Sequence, residues 1–358
     1  MKLLHSIVAL GFCDVPQYDD REIELDAYEI VLASDDDKKM FAIDGIKGEK
    51  IWEKEIRDNP THWPFVSLNY RVYFSDDSKA VRALNLQTGR DMWSLEMEHN
   101  IAPAIHLSKD EDTLFVPMVN GQIVAYDVTQ KDKVEKKWTY EAPGELESPM
   151  IDDMKNSMIY FCSGMENTNY KGDLDEHEEE DMASVFCLGV NYQGEEVWRV
   201  AFDDALSSPP VLYKERVHFL GFLDGQILSI DAKTGENKTL RELPDISDGY
   251  PALDAHNGFL YAGHAEGGIF SANLDESDEA KNFGVEWEDE LENQQAFSSI
   301  LHCEGESDEM KAINFMVFAS ENDLIKYDVE EKEVVWKIPI PAASSMTSPK
   351  LYIFETLL

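Results

Sequence analysis

Three stretches of the chain nearly repeat one another. Residues 39–56 read KMFAIDGIKGEKIWEKEI, residues 80–97 read AVRALNLQTGRDMWSLEM, and residues 226–243 read QILSIDAKTGENKTLREL. A chain that keeps returning to one pattern builds one supersecondary unit many times. Such a unit cannot bury its apolar face alone and must stack on its neighbours. In each copy a run of alternating apolar residues leads to an Asp or Asn, then a Gly, then a second alternating run. An Asx side chain closes a turn on its own backbone, and Gly enters left-handed backbone without cost. The unit is therefore a β-hairpin.

The spacing is regular. Asp44, Asn85 and Asp328 stand eight residues before Trp52, Trp93 and Trp336, and Asp231 keeps the position with Thr239 in place of Trp. Gly48, Gly89, Gly194 and Gly235 lie four residues before Trp52, Trp93, Trp198 and Thr239. Two copies have longer turns, from Asp127 to Trp138 and from Asn273 to Trp287. Upstream of each hairpin lies another apolar strand, such as YRVYFSD, TLFVPMV or MIYFCSG. Further upstream is a short segment, usually with Pro, such as APAIHL, SPMIDD or SPPVLY. Pro is tolerated at the first residue of a strand.

Seven such units of four short strands predict an all-β fold, a seven-bladed β-propeller of four-stranded antiparallel blades. The unit at residues 28–56 lacks a clear first strand, whereas residues 344–354, SSMTSPKLYIF, look like a first strand with no hairpin after it. The C-terminal strand is thus expected to complete the first blade and close the ring, removing open sheet edges. Residues around Pro16 are the alternative source of that strand. The repeated Trp residues read as wedges between neighbouring blades. Their other reading is a stacking platform for a sugar or quinone.

Seventy-two Asp and Glu oppose 31 Lys and Arg, a net charge of −41. That balance repels phosphate backbones and anionic lipid surfaces, so no nucleic-acid partner is expected. No run approaches the length of a membrane span, so no integral membrane segment is expected. The N-terminus, MKLLHSIVALGFC, has one Lys and then an apolar run. Residues 1–26 are read as a signal peptide with an N-terminal extension, and residues 27–358 as one propeller domain. The expected location is the secretory pathway, the periplasm or the extracellular space, with the cytoplasm as the alternative. The leader's competitor is an ordinary buried strand.

The segments AIDGIKGEKIW, ALNLQTGRDMW and SIDAKTGEN, with SSPPVL between units, resemble the pyrroloquinoline quinone (PQQ)-like repeat of the quinoprotein alcohol dehydrogenase-like superfamily. The resemblance covers roughly residues 27–354 and speaks to fold more than function. Bacterial outer-membrane assembly lipoproteins, luminal stress-sensor domains and quinoprotein dehydrogenases share related propellers. The enzyme members hold the quinone between an adjacent Cys pair and a Trp. They bind calcium through Glu, Asn and Asp, and use a catalytic Asp. This sequence has no adjacent Cys pair and no CxxCH motif, so no catalytic or cofactor-binding residue is carried over. The resemblance implies a non-catalytic propeller serving as a protein-interaction scaffold or assembly module. A quinone- or calcium-dependent oxidoreductase or ligand-binding propeller is the alternative.

The fourth unit carries an acidic insertion, MENTNYKGDLDEHEEEDM, residues 165–182. It resembles a degenerate EF-hand loop. Asn167, Asn169, Gly172, Leu174, Asp175 and Glu178 fall at loop positions 1, 3, 6, 8, 9 and 12, Lys171 occupies a ligand position, and Asn167, Asn169, Asp173, Asp175 and Glu178 are the candidate metal ligands. A solvated acidic loop is one reading and weak calcium binding the other. Cys162 and Cys187 sit in the strands this insertion joins. They are expected either to bridge in an oxidising compartment or to remain two small buried apolar residues.

Overall fold

A computed structural model describes residues 4–12, 29–35, 37–44, 49–61, 64–67, 69–102, 104–146, 148–164, 185–202, 209–221, 226–236, 239–242, 252–254, 258–263, 269–274, 286–287, 301–307, 310–319, 323–328, 331–339 and 350–354. Among these residues every regular element is a β-strand, and the strands form seven sheets. No helix among them is long and apolar enough to cross a membrane.

Six sheets have four strands each, antiparallel throughout and ordered as they occur in the chain. The fourth is typical. Ile151–Asp153, Met158–Gly164, Val185–Asn191 and Glu196–Phe202 run side by side. Its two middle strands are almost wholly buried, and its last alternates between exposed and buried residues. Short apolar runs form central strands because both of their faces are covered. The last strand borders water, so Glu196 and Arg199 are interspersed there among apolar residues.

The chain divides into two compact units. One comprises residues 1–101, 130–134 and 345–358; the other comprises 102–129 and 135–344. The first unit holds a five-stranded sheet and the four-stranded sheet that opens with Phe65–Val66. The second holds the remaining five sheets. Its core includes a cluster shared by the fourth and fifth sheets, with Tyr160, Cys162, Cys187, Trp198, Phe219 and Leu228. Another cluster, shared by the third and fourth, contains Phe115, Ile123, Phe161 and Leu188.

The five-stranded sheet is arranged differently from the expected first blade. Its order is Lys350–Phe354, Leu4–Phe12, Glu29–Asp35, Lys39–Asp44, Lys50–Glu55. The place beside Glu29–Asp35 was expected for the C-terminal strand. It is taken by Leu4–Phe12, in the region read as a leader, and not by residues around Pro16, which lie outside the described residues. Lys350–Phe354 does join this sheet, but as a fifth strand paired parallel to Leu4–Phe12. The physical reason is composition: an apolar run that suits a leader core also suits a covered strand, and the longer run makes the longer ladder.

Candidate functional site

The repeated residues act at the seams between successive sheets. Asn85 Oδ1 accepts hydrogen bonds from Thr88 N (2.9 Å) and Thr88 Oγ1 (2.8 Å). Asp231 Oδ1 does the same with Thr234 N and Oγ1, both at 2.8 Å. The Thr234 hydroxyl and the turn N–H groups hold the Asp231 carboxyl below the usual aspartate range. Each turn then reaches its glycine in the left-handed region, with φ +65° at Gly89, +82° at Gly194 and +71° at Gly235. In the seventh sheet Lys332 stands at that position with φ 55°, so the turn keeps its shape even where the glycine is lost.

The glycine is needed for a second reason, because the Trp of the preceding sheet lies flat against it. A Cβ on Gly89 would fall 2.8 Å from the Trp52 ring. On Gly194 it would fall 2.7 Å from the Trp138 ring, and on Gly235 2.6 Å from Trp198. Each indole N–H also donates to the backbone carbonyl that follows the turn's Asx residue. Trp52 Nε1 donates to Leu86 O (2.6 Å), Trp138 to Tyr192 O (2.7 Å) and Trp198 to Ala232 O (3.0 Å). These three rings are committed to packing against the next sheet's turn. Trp93 and Trp336 are half-buried. Gly48, the Trp287 side chain and residues 165–184 lie outside what is described. With them lie the proposed calcium ligands Asn167, Asn169, Asp173, Asp175 and Glu178. Among the described residues no three His, Cys, Asp or Glu side chains converge as metal ligands. Cys162 and Cys187 face each other across one ladder position as thiols.

Sequence reasoning missed a buried polar cluster at the seam between the third and fourth sheets. The Asp152 side chain is 1% exposed. His106 Nε2 lies 2.8 Å from its Oδ1. Lys109 N (2.9 Å) and the Tyr192 hydroxyl (2.8 Å) donate to its Oδ2. Burial opposes the charge on Asp152, yet the hydrogen bond and charge of His106, with the other two donors, hold its carboxyl below the ordinary aspartate value. The same site drives the Tyr192 phenol far up, through burial and then the neighbouring carboxylate. A buried charge with three donors is satisfied rather than poised for chemistry. The signal was in the repeats all along. APAIHL and SPMIDD align so that His106 and Asp152 share one repeat position.

Neither a protein-family model nor a curated protein matches the chain. Solved structures do. BamB from Moraxella catarrhalis is 15% identical with a TM-score of 0.54, covering 81% of this chain and 76% of that one. The computationally designed Ika8 protein is 13% identical with a TM-score of 0.63, covering 89% of this chain and 86% of that one. At such identities the likeness shows the fold alone. The fold is a β-propeller of antiparallel sheets, mostly four-stranded.

The Asp152 cluster makes stability pH-dependent in a defined direction. A carboxyl whose folded pKa is depressed adds stability above its unfolded value, here 3.8, and loses it as pH falls through the folded value. Asp152→Asn is expected to cost about 2 kcal/mol at pH 7. Urea unfolding at stepped pH should show that penalty beginning to shrink as pH falls below 3.8 and vanishing as it passes through the lower folded value, where the native carboxyl also becomes neutral.

Proposed function

We propose that this chain is a non-catalytic, seven-bladed propeller of PQQ-like repeats that acts as a protein-interaction scaffold or assembly module. The supporting observation concerns the last strand of the sheets. Each of these strands ends its sheet's order. Three expose an apolar side chain one residue before the Trp: Ile51 (41%), Val197 (47%) and Val335 (49%). An edge strand with an exposed apolar residue suits an added strand or peptide from a partner. The net charge of −41 favours a partner with basic flanks and disfavours pairing between copies of this chain. The repeated Trp, Gly and Asx positions are spent on holding sheets together, which leaves edges and loops to carry recognition.

The finer fold follows the same reading. The seven sheets are blades of a closed ring, with Lys350–Phe354 as the closing strand. Ser348-Pro349 precedes that strand as Ser148-Pro149 precedes the first strand of the fourth sheet. Residues 1–3, Met-Lys-Leu, contain no Pro. The C-terminal strand runs parallel to Leu4–Phe12, which is itself antiparallel to Glu29–Asp35. Its polarity therefore already fits the place beside Glu29–Asp35. Removal of the leader in a secretory or periplasmic compartment lets it move over by one strand spacing, about 4.8 Å. On this proposal the chain beginning near Asp14 loses about 5 °C or more of melting temperature when cut after Pro341, because a whole strand pairing is gone. An unchanged melting temperature contradicts closure by this strand.

For the scaffold role, proteins crosslinked to the chain in its native compartment are compared for the wild type and for Ile51→Lys, Val197→Lys and Val335→Lys. At least one substitution is expected to remove a specific partner while leaving the melting temperature within a few degrees, and added salt should weaken capture. Capture indifferent to all three substitutions contradicts recognition at these edges. Dye-linked alcohol or sugar oxidation that requires added quinone and calcium contradicts the non-catalytic reading.

A further inference from the structure

We propose that Cys162 and Cys187 form a reversible dithiol–disulfide site that pins the base of the acidic insertion. The two residues are direct partners in the ladder between Met158–Gly164 and Val185–Asn191. Their register position is of the kind that accepts a bridge. Tyr192 N donates to Ser157 O (2.9 Å), which makes that pair a hydrogen-bonded one. Bonded and non-bonded pairs alternate along an antiparallel ladder, so the pair five steps on, Cys162 with Cys187, is non-hydrogen-bonded. The Cys162 amide agrees: it points away from this partner strand and donates to Ser148 Oγ (3.1 Å). Non-bonded pairs place Cα atoms about 4.5 Å apart, inside the range a disulfide spans.

The side chains are already turned toward each other. Their Sγ atoms lie 3.1 Å apart, and both residues are fully buried among Tyr160, Trp198 and Phe219. Small rotations about χ1 bring the sulfurs to the bonding distance of about 2.05 Å with no backbone movement. Access comes from the end of the hairpin. Only the pairs Ser163–Phe186 and Gly164–Val185 separate the cysteines from residues 165–184. Opening those two pairs exposes the thiols to an oxidant.

The oxidant is an external disulfide, either a protein or a small molecule. One cysteine thiolate attacks it; its S–S bond breaks, one thiol departs and a mixed disulfide remains. The second thiolate attacks the sulfur of the first cysteine, the Cys162–Cys187 bond forms and the other external thiol departs. The cysteines lose two protons and two electrons, and the external disulfide becomes two thiols. The product ties together the two strands on either side of residues 165–184. This holds whether or not the propeller acts as a scaffold.

Purified chain is incubated with oxidised glutathione, unfolded, alkylated and digested. A linked peptide joining Cys162 to Cys187 is expected, with an intact mass lower by two hydrogens that a dithiol reductant restores. The oxidised form should melt about 5 °C above the reduced form. The double variant Cys162→Ala, Cys187→Ala should melt at one temperature in both conditions. Recovery of both cysteines as alkylated thiols, their linkage to Cys13 or Cys303 instead, or a bridged form that melts no higher overturns the proposal. The peptide linkage is read on wild-type chain, so it stands even if the double variant does not fold.

Discussion

The structure depends on one contact, made again at successive seams: an indole ring lying on the glycine of the next sheet's turn. A four-stranded sheet of this size cannot stand alone in water, because both faces of its central strands are apolar. The ring supplies a large apolar surface and a polar N–H in one side chain. The turn supplies a flat surface without a Cβ and a carbonyl in line with that N–H. Burying an indole this way is worth about 3–5 kcal/mol when judged by its removal. Correct formation of the turn is thereby coupled to correct stacking. The Asx side chain that shapes the turn therefore also places the carbonyl that the indole needs.

Polar contacts join neighbouring sheets within each unit as well. Lys54 and Arg57 reach Asp91 and Glu96 across the first two sheets, and Tyr140 reaches Glu196 between the third and fourth. The exposed pairs contribute little, on the order of 0–1 kcal/mol each. The buried Asp152 cluster matters more, since a charge without its donors there is costly. A chain carrying a net charge of −41 repels itself. Stacking of neutral aromatic surface is a seam that this repulsion weakens least. The motif is not uniform, however. Thr239 replaces Trp in the fifth unit, and Lys332 replaces Gly in the seventh.

Much of this was legible in the sequence, because a repeat displays its constraints several times over. The distance from Asx to Gly to Trp marked the hairpin and its turn, in which Trp52, Trp138 and Trp198 stand. The partners of those rings were not legible, since a spacing within one unit says nothing of which atoms of the next unit it meets. Reading down one column of the aligned repeats would have paired His106 with Asp152. Reading along the chain concealed it, because the two lie 46 residues apart. The neighbour of Glu29–Asp35 was not legible for a different reason: an apolar run near an N-terminus has the same composition whether it is a leader or a strand. The Cys162–Cys187 facing was legible in outline, but its hydrogen-bonding class depends on the ladder's phase, which a sequence does not carry.

The central claim is that glycine is required at the turn because of the ring above it. A double-mutant cycle between Trp138 and Gly194 measures this directly. Gly194→Ala in the native background meets both the ring, at 2.7 Å, and the cost of φ +82°. In a Trp138→Ala background the ring atoms nearest that Cβ are gone and the backbone cost remains. Urea unfolding of the four proteins should give a coupling of about 1 kcal/mol or more, with Gly194→Ala less harmful once the ring is gone. Additivity within about 0.3–0.5 kcal/mol would mean that the glycine serves its turn alone, and the seam would then have to be held by something else.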